Sequence, residues 1–217
     1  MESLMKSKPD TYIPKDEVPR HTNLGSSVLA DKDNKEHKIK ARRPYPKYLE
    51  SYTVTKTGVK FFLRPVKAGD EHMLKAFFPS VSDKCIYQRF GLEGKVMNKE
   101  RLKKLVNIDY MKQLAMVAIL QDEDREMVAG LGQYTVNEST HTAEIALAVR
   151  DDYQNAGIGE NILFKLTYEA ELMGLLGFTA EVPETNQAML HLFSTMGFYL
   201  ERHRRDGIYY LKMWFRQ

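Results

Sequence analysis

Short apolar runs with strand character alternate with segments of helical spacing through the last two thirds of the chain. Leu114 to Leu120 and Met127 to Thr135 are β-rich and flank the polar stretch Gln121-Asp-Glu-Asp-Arg-Glu126, a hairpin pattern. After the turn Asn137-Glu-Ser-Thr140, Thr142 to Val149 reads as another strand. Ile162, Leu163, Leu166, Ala170 and Met173 then recur at helical spacing. Phe178 to Val182 returns to strand character and is ended by Pro183. Ala188, Leu192 and Met196 are again helically spaced, and Gly197 suits the left-handed position past a helix end. Phe198 to His203 and Ile208 to Phe215 form a last hairpin pattern across Arg204-Arg-Asp-Gly207. Upstream, Phe61-Phe-Leu-Arg-Pro-Val-Lys-Ala-Gly-Asp70 reads as a strand, a turn and a helix start capped by Asp70, with Leu74, Phe77 and Phe78 as the helix's buried face. A short basic helix is expected around Leu102 and Leu105. The order implies an α/β fold (α+β in arrangement). Its mixed sheet is antiparallel except where the helix from Gly159 connects two neighbouring strands.

The strand-to-helix junction carries the first chemical signal. In Val149-Arg-Asp-Asp-Tyr-Gln-Asn-Ala-Gly-Ile-Gly159, a strand ends, a polar turn with two glycines follows, and a helix begins. Glycine allows a tight turn and close approach of a ligand to the main chain. The free amides and positive dipole end of the helix suit a phosphate. There is no Gly-Lys-Ser/Thr of a P-loop, and the third spaced glycine of a dinucleotide fingerprint is missing. The alternative reading of this stretch alone is an ordinary connection that happens to carry glycines.

Gln154-Asn-Ala-Gly157-Ile-Gly159 resembles the Gln/Arg-x-x-Gly-x-Gly/Ala pyrophosphate loop of the GNAT acetyltransferase family. Asn186-Gln-Ala-Met-Leu-His-Leu-Phe-Ser-Thr-Met-Gly197-Phe198 resembles that family's later Asn-x-x-Ala…Gly-Phe segment. With Phe61 to Asp70, Tyr87-Gln-Arg-Phe90 and Ile108-Asp-Tyr110 in the same order, the chain from about Tyr45 to Phe215 is similar to bacterial Pat-type protein-lysine acetyltransferases. The resemblance implies a GNAT fold: a mixed, mostly antiparallel sheet, splayed between two parallel strands and flanked by helices. It implies acetyl-CoA as co-substrate. Amides of Asn155, Ala156, Gly157, Ile158, Gly159 and Glu160, in the loop opened by Gln154, would hold its pyrophosphate. Backbone of Leu147, Ala148 and Val149 would hold the acetyl carbonyl and pantetheine, with Asn186 near the pantetheine arm. Asn186 would equally serve as a plain helix cap.

Acyl transfer to an amine needs a base, because a lysine ammonium holds its proton near neutral pH. Glu144 is the lone charge in the apolar strand Thr142 to Val149. Alternation places it on one face with Ala146 and Ala148, whose small side chains are expected to leave room for a ligand. Apolar flanks are expected to desolvate the carboxylate and make it more basic. Pat-type enzymes carry a glutamate at the matching place as general base, so the resemblance implies that role for Glu144. The alternative is a strand charge facing solvent. One departure stands out: Phe193 occupies the position where many GNAT enzymes place a tyrosine that can protonate the leaving thiolate. His141 and His191 are isolated and read as surface or packing residues, without a metal-ligand pattern.

Composition narrows the setting. The chain of 217 residues is 43% hydrophobic with a formal net charge of +3, enough for a sizeable core and no indication of nucleic acid. No apolar run reaches the roughly 20 residues that span a bilayer, and the first residues lack a signal peptide's apolar core. The single cysteine, Cys85, reads as packing and fits a reducing cytoplasm. Residues 1–45 are polar and expected to form a largely irregular extension ahead of a domain at 46–217, too short for the cyclic-nucleotide domain that some Pat-type proteins carry. The expected function is acetyl transfer from acetyl-CoA to an amine, by resemblance a protein lysine. A small amine such as a polyamine or amino acid, or a non-catalytic acyl-CoA-sensing module, are the alternatives. The sequence leaves a homodimer open and implies no membrane partner and no metal.

Overall fold

The computed structural model describes residues 43–81, 98–122 and 125–216, all within the compact unit Ile39–Gln217. Cys85, the Tyr87-to-Phe90 segment and residues 1–42 lie outside the described residues. In chain order the elements are β1 (Ser51–Val54), β2 (Lys60–Pro65), α1 (Glu71–Phe77), α2 (Lys99–Val106), β3 (Gln113–Asp122) and β4 (Arg125–Asn137). There follow β5 (Thr142–Val149), α3 (Ile158–Leu172), β6 (Gly177–Pro183), α4 (Gln187–Thr195), β7 (Tyr199–Arg205) and β8 (Ile208–Trp214). The strands form one eight-stranded sheet in the order β1-β2-β3-β4-β5-β6-β8-β7. Every neighbouring pair is antiparallel except β5 and β6, which α3 connects. This is the α/β architecture expected from the alternation of periods.

Helix α3 lies close against the sheet. A Cβ built on Gly130 of β4 would come within 2.8 Å of Ile162 Cδ1 and 2.9 Å of Ile158 Cγ2, so a side chain there would have to push these isoleucines of the helix aside. Ile158, Ile162, Leu163, Leu166 and Ala170 are buried. Met173, expected on that face, is exposed at the helix C-cap; the buried place in the last turn goes to Glu169. Its carboxylate accepts from Arg43 Nη1 and from Tyr48 Oη, both at 2.6 Å, so residues just ahead of β1 are fastened to α3.

One expectation changes in the amino-terminal half. Asp70 does not cap α1 with its side chain. Its carboxylate instead accepts from the buried Arg64 guanidinium at 2.7 and 2.8 Å and from the Lys67 amide at 2.9 Å, tying the end of β2 to the turn before the helix. The buried face of α1 is as expected, with Leu74, Phe77 and Phe78 in the core. Strand β1 carried no recognisable pattern. Its apolar residues Tyr52 and Val54 face outward, and the contact of Tyr52 with Phe62, 4.7 Å between ring centroids, covers part of that side. At the other end of the sheet, β7 and β8 run on to Arg205 and Ile208, so the turn is Asp206-Gly207 alone. Both residues have positive φ, the geometry a two-residue hairpin of matching twist requires.

Candidate active site

Strands β5 and β6 part company early. Their register pairs are Thr142 with Gly177, Ala143 with Phe178 and Glu144 with Thr179, and there the parallel pairing ends. Beyond it, β5 stays bonded to β4 through Val149, while β6 stays bonded to β8 through Pro183. The diverging ends open a gap. The N-terminus of α3 and one side of α4 face a cavity of about 300 Å³ at this place.

The glycine turn forms one end of the cavity. Asn155 and Gly157 both have positive φ, 59° and 89°. The first bond of the α3 ladder runs from the Asn161 amide to the Gly157 carbonyl at 3.2 Å. The amides of Ile158, Gly159 and Glu160 precede that bond and have no ladder acceptor. They stand at the positive end of the helix dipole. A Cβ built on Gly159 would lie 3.4 Å from Leu147 Cδ2 and Leu192 Cδ2 and 3.5 Å from Val149 Cγ2, side chains of the cavity wall. The missing side chain therefore keeps the wall open.

Of the residues expected to hold the cofactor, Leu147, Ala148, Val149, Gln154, Asn155, Gly157, Ile158, Gly159, Glu160 and Asn186 all line this one cavity. Ala156 does not; its carbonyl accepts from Thr57 Oγ1 at 3.2 Å. Asn186 does two things at once: its Oδ1 caps α4 by accepting from the Met189 amide at 3.1 Å, and the residue lines the cavity. At the turn's entrance, Arg150 donates to Asp152 twice at 2.9 Å and holds that carboxyl below the usual carboxylate range.

Glu144 stands apart from the cavity, on the last β5 residue that pairs with β6. It is exposed, while Ala146 and Ala148 beyond it are buried. The expected enclosure of the carboxylate is absent; of the two alanines on its face, Ala148 borders the cavity and Ala146 does not. The carboxylate sits at the root of the split and is reached from water.

The family model of the acetyltransferase (GNAT) family matches residues 88–198, more than half of the chain. The chain belongs to the GNAT acetyltransferase family. Family members use acetyl-CoA, and the chain is an acyl-CoA-dependent N-acetyltransferase. An acetyltransferase of Pseudomonas aeruginosa is 26% identical over 150 residues, which cover 69% of this chain and 81% of that protein. Acetyltransferase Pat of Mycolicibacterium smegmatis is 29% identical over 142 residues, covering 65% of this chain and 42% of Pat. Among solved structures, the GNAT domain of S. lividans PAT superposes with a TM-score of 0.70 at 23% identity, covering 79% of this chain and 99% of that domain. The structure of yncA of Salmonella typhimurium with its cofactor acetyl-CoA superposes with a TM-score of 0.58 at 15% identity, covering 72% of this chain and 95% of that one. These two structures share the GNAT fold.

Within this GNAT domain, α4 uses its two apolar stripes differently. Phe193 is buried in the core, whereas Ala188, Leu192 and the polar residues His191 and Thr195 line the cavity; Met189 is buried and borders the cavity as well. Phe193 thus stands in the hydrophobic core and not in the cavity wall. His191, read from sequence as a bystander, is a wall residue, and Tyr153 joins it from the turn. Helical spacing allowed either stripe to face inward, and no single side chain marked which. His141 is exposed in the turn before β5 with φ of 52°. Among the described residues no group of three or more His, Cys, Asp or Glu is placed to hold a metal, and no helix is long and apolar enough to cross a membrane.

Proposed function

We propose that this chain moves an acetyl group from acetyl-CoA to the side-chain amine of a protein lysine, by direct transfer with Glu144 as general base. The observation that carries the reading is the coincidence of three features at one place: the parting of β5 and β6, the glycine turn with open helix amides, and the cavity between them. The residues fit the co-substrate, since Gly159 leaves the wall free where any side chain would enter it.

Acetyl-CoA supplies an activated thioester carbonyl. The amides of Ile158, Gly159 and Glu160 would bind its phosphate charge. Leu147, Val149 and Leu192 give an apolar wall that would exclude water from the pantetheine arm. Glu144 lies on the strand that lines the gap, at its closed end, and takes a proton from the amine as it attacks. No buried acid on α4 is needed to finish the step, because a thiol leaves readily with a proton from solvent.

The acceptor assignment is supported by the Pat-type resemblance over most of the described domain and by an exposed Glu144, which a lysine on a protein surface can approach. The test is a coenzyme A release assay with acetyl-CoA and three acceptor types: lysine-containing protein, polyamine and free amino acid. Release with protein lysine is expected. Turnover confined to the small amines would overturn the acceptor, and binding without turnover on any acceptor would overturn the enzyme reading.

A further inference from the structure

The cavity that would take acetyl-CoA is short of positive charge. Among the described residues lining it, none is lysine or arginine, and Glu160 adds a carboxylate at the phosphate end. A phosphate monoester carries a charge of about −1.5 to −2 near pH 7, and coenzyme A has a pyrophosphate besides. Helix amides offset only about half a unit charge. Arg150, the nearest cation on the turn itself, is engaged by Asp152.

A cation is delivered from elsewhere in the chain. The tight turn between β1 and β2 is built by the Gly58 amide donating to the Thr55 carbonyl at 2.9 Å, the Thr55 amide donating to the Val59 carbonyl at 2.9 Å, and the Val59 amide donating to Thr55 Oγ1 at 3.1 Å. Gly58 has φ of +86°, which closes the turn. The turn is clamped against the glycine loop: Thr57 Oγ1 donates to the Ala156 carbonyl, and the buried Thr55 lies under Gly157, whose built Cβ would be 3.5 Å from Thr55 Cβ. At the tip stands Lys56. Its Nζ is 3.6 Å from Glu160 Oε1, and its side chain is 86% exposed. An ion pair this long and this wet holds the ammonium weakly.

We propose that Lys56 is a binding residue for a phosphate of the coenzyme A nucleotide, an assignment that rests on the acetyl-CoA reading above. The turn sets the ammonium at the rim of the phosphate end, where it also offsets Glu160. A phosphate gives it a stronger, charge-assisted partner than the carboxylate does. Two groups share that chemistry, the pyrophosphate and the 3′-phosphate.

The test is calorimetric titration of the full chain and its Lys56→Ala variant with coenzyme A and with 3′-dephospho-coenzyme A at low salt. Lys56 is exposed and outside the core, so the variant is expected to fold as the parent does. Affinity for coenzyme A should fall about tenfold, the scale of one charge-assisted hydrogen bond at a wet site. Loss confined to coenzyme A assigns the 3′-phosphate; equal loss for both ligands assigns the pyrophosphate. A variant that binds both ligands within twofold of the parent overturns the role of Lys56. A parent chain that binds neither ligand overturns the cofactor reading itself, a distinct result from the first.

Discussion

Arg43 and Glu169 are joined across 126 positions of sequence by a 2.6 Å contact between Nη1 and Oε1. The carboxylate is almost wholly buried, with 3% of the side chain exposed, and Tyr48 supplies its second donor. Removing Arg43 leaves a buried charge with one partner. Arg43→Ala should therefore cost about 3 kcal/mol, the scale of breaking a buried pair. For a domain of this size that lowers Tm by about 6–12 °C. Replacing both residues by methionine should recover most of the loss, because the unpaired charge is gone. Differential scanning calorimetry on the single and double variants checks this. A single variant as stable as the parent would mean that water already screens the pair.

The same cluster predicts a response to alkali. Burial, then the hydrogen bond to Glu169, raises the Tyr48 phenol well above its usual value, and burial does the same for Tyr134. A raised folded-state value favours the protonated phenol in the native protein. This contribution is complete below the unfolded value near 10 and is lost as pH rises from there toward the folded value. Stability should fall with pH above about 10. Urea unfolding of Tyr48→Phe across that range should show a shallower fall than the parent. Equal slopes would show that Tyr48 titrates alike in both states.

Much of the fold and of the site is legible in the sequence. Ile162 to Ala170 announces its helical period through one buried face, and Leu114 to Leu120, buried on both faces, reads as a strand from its short, β-rich apolar run. The glycine turn was readable because its residues act through backbone geometry, which glycine marks. What was hidden depends on partners distant in sequence. Strand β1 turns its apolar residues outward, Asp70 answers Arg64 in place of its helix, and Lys56 matters only beside Glu160. The setting of Glu144 was half legible: its isolation in an apolar strand marked it, but exposure depends on where β6 turns away.

Two glycines of the turn should fail in different ways. Gly157 has φ of +89°, so valine there strains the backbone and should destabilise the fold as well as the loop. Gly159 has no such constraint, and its Cβ would enter the cavity wall between Leu147 and Leu192. Gly159→Val should stay folded and bind acetyl-CoA at least about tenfold more weakly, a change of about 1.4 kcal/mol. Thermal melting alongside calorimetry separates the two effects. A folded Gly159→Val with parental affinity would move the co-substrate out of this cavity.

The chemical role of Glu144 has its own test. Its position on the last β5 residue that pairs with β6, outside the cavity lining, leaves the cavity untouched when the side chain changes. Glu144→Gln keeps size and removes the basic site, so acetyl-CoA affinity should hold while kcat falls. General base catalysis is typically worth about 10²–10⁴-fold, and the loss should lie in that range near neutral pH. The acceptor lysine deprotonates unaided as pH approaches about 10.4, so the deficit should shrink in alkali. A residue that only faces solvent would give neither result. Measuring kcat for both proteins from neutral to alkaline pH decides between the two. A neutral-pH deficit below about threefold, far under the general-base range, would take Glu144 out of the mechanism. His191 in the cavity wall would then be the next group to test.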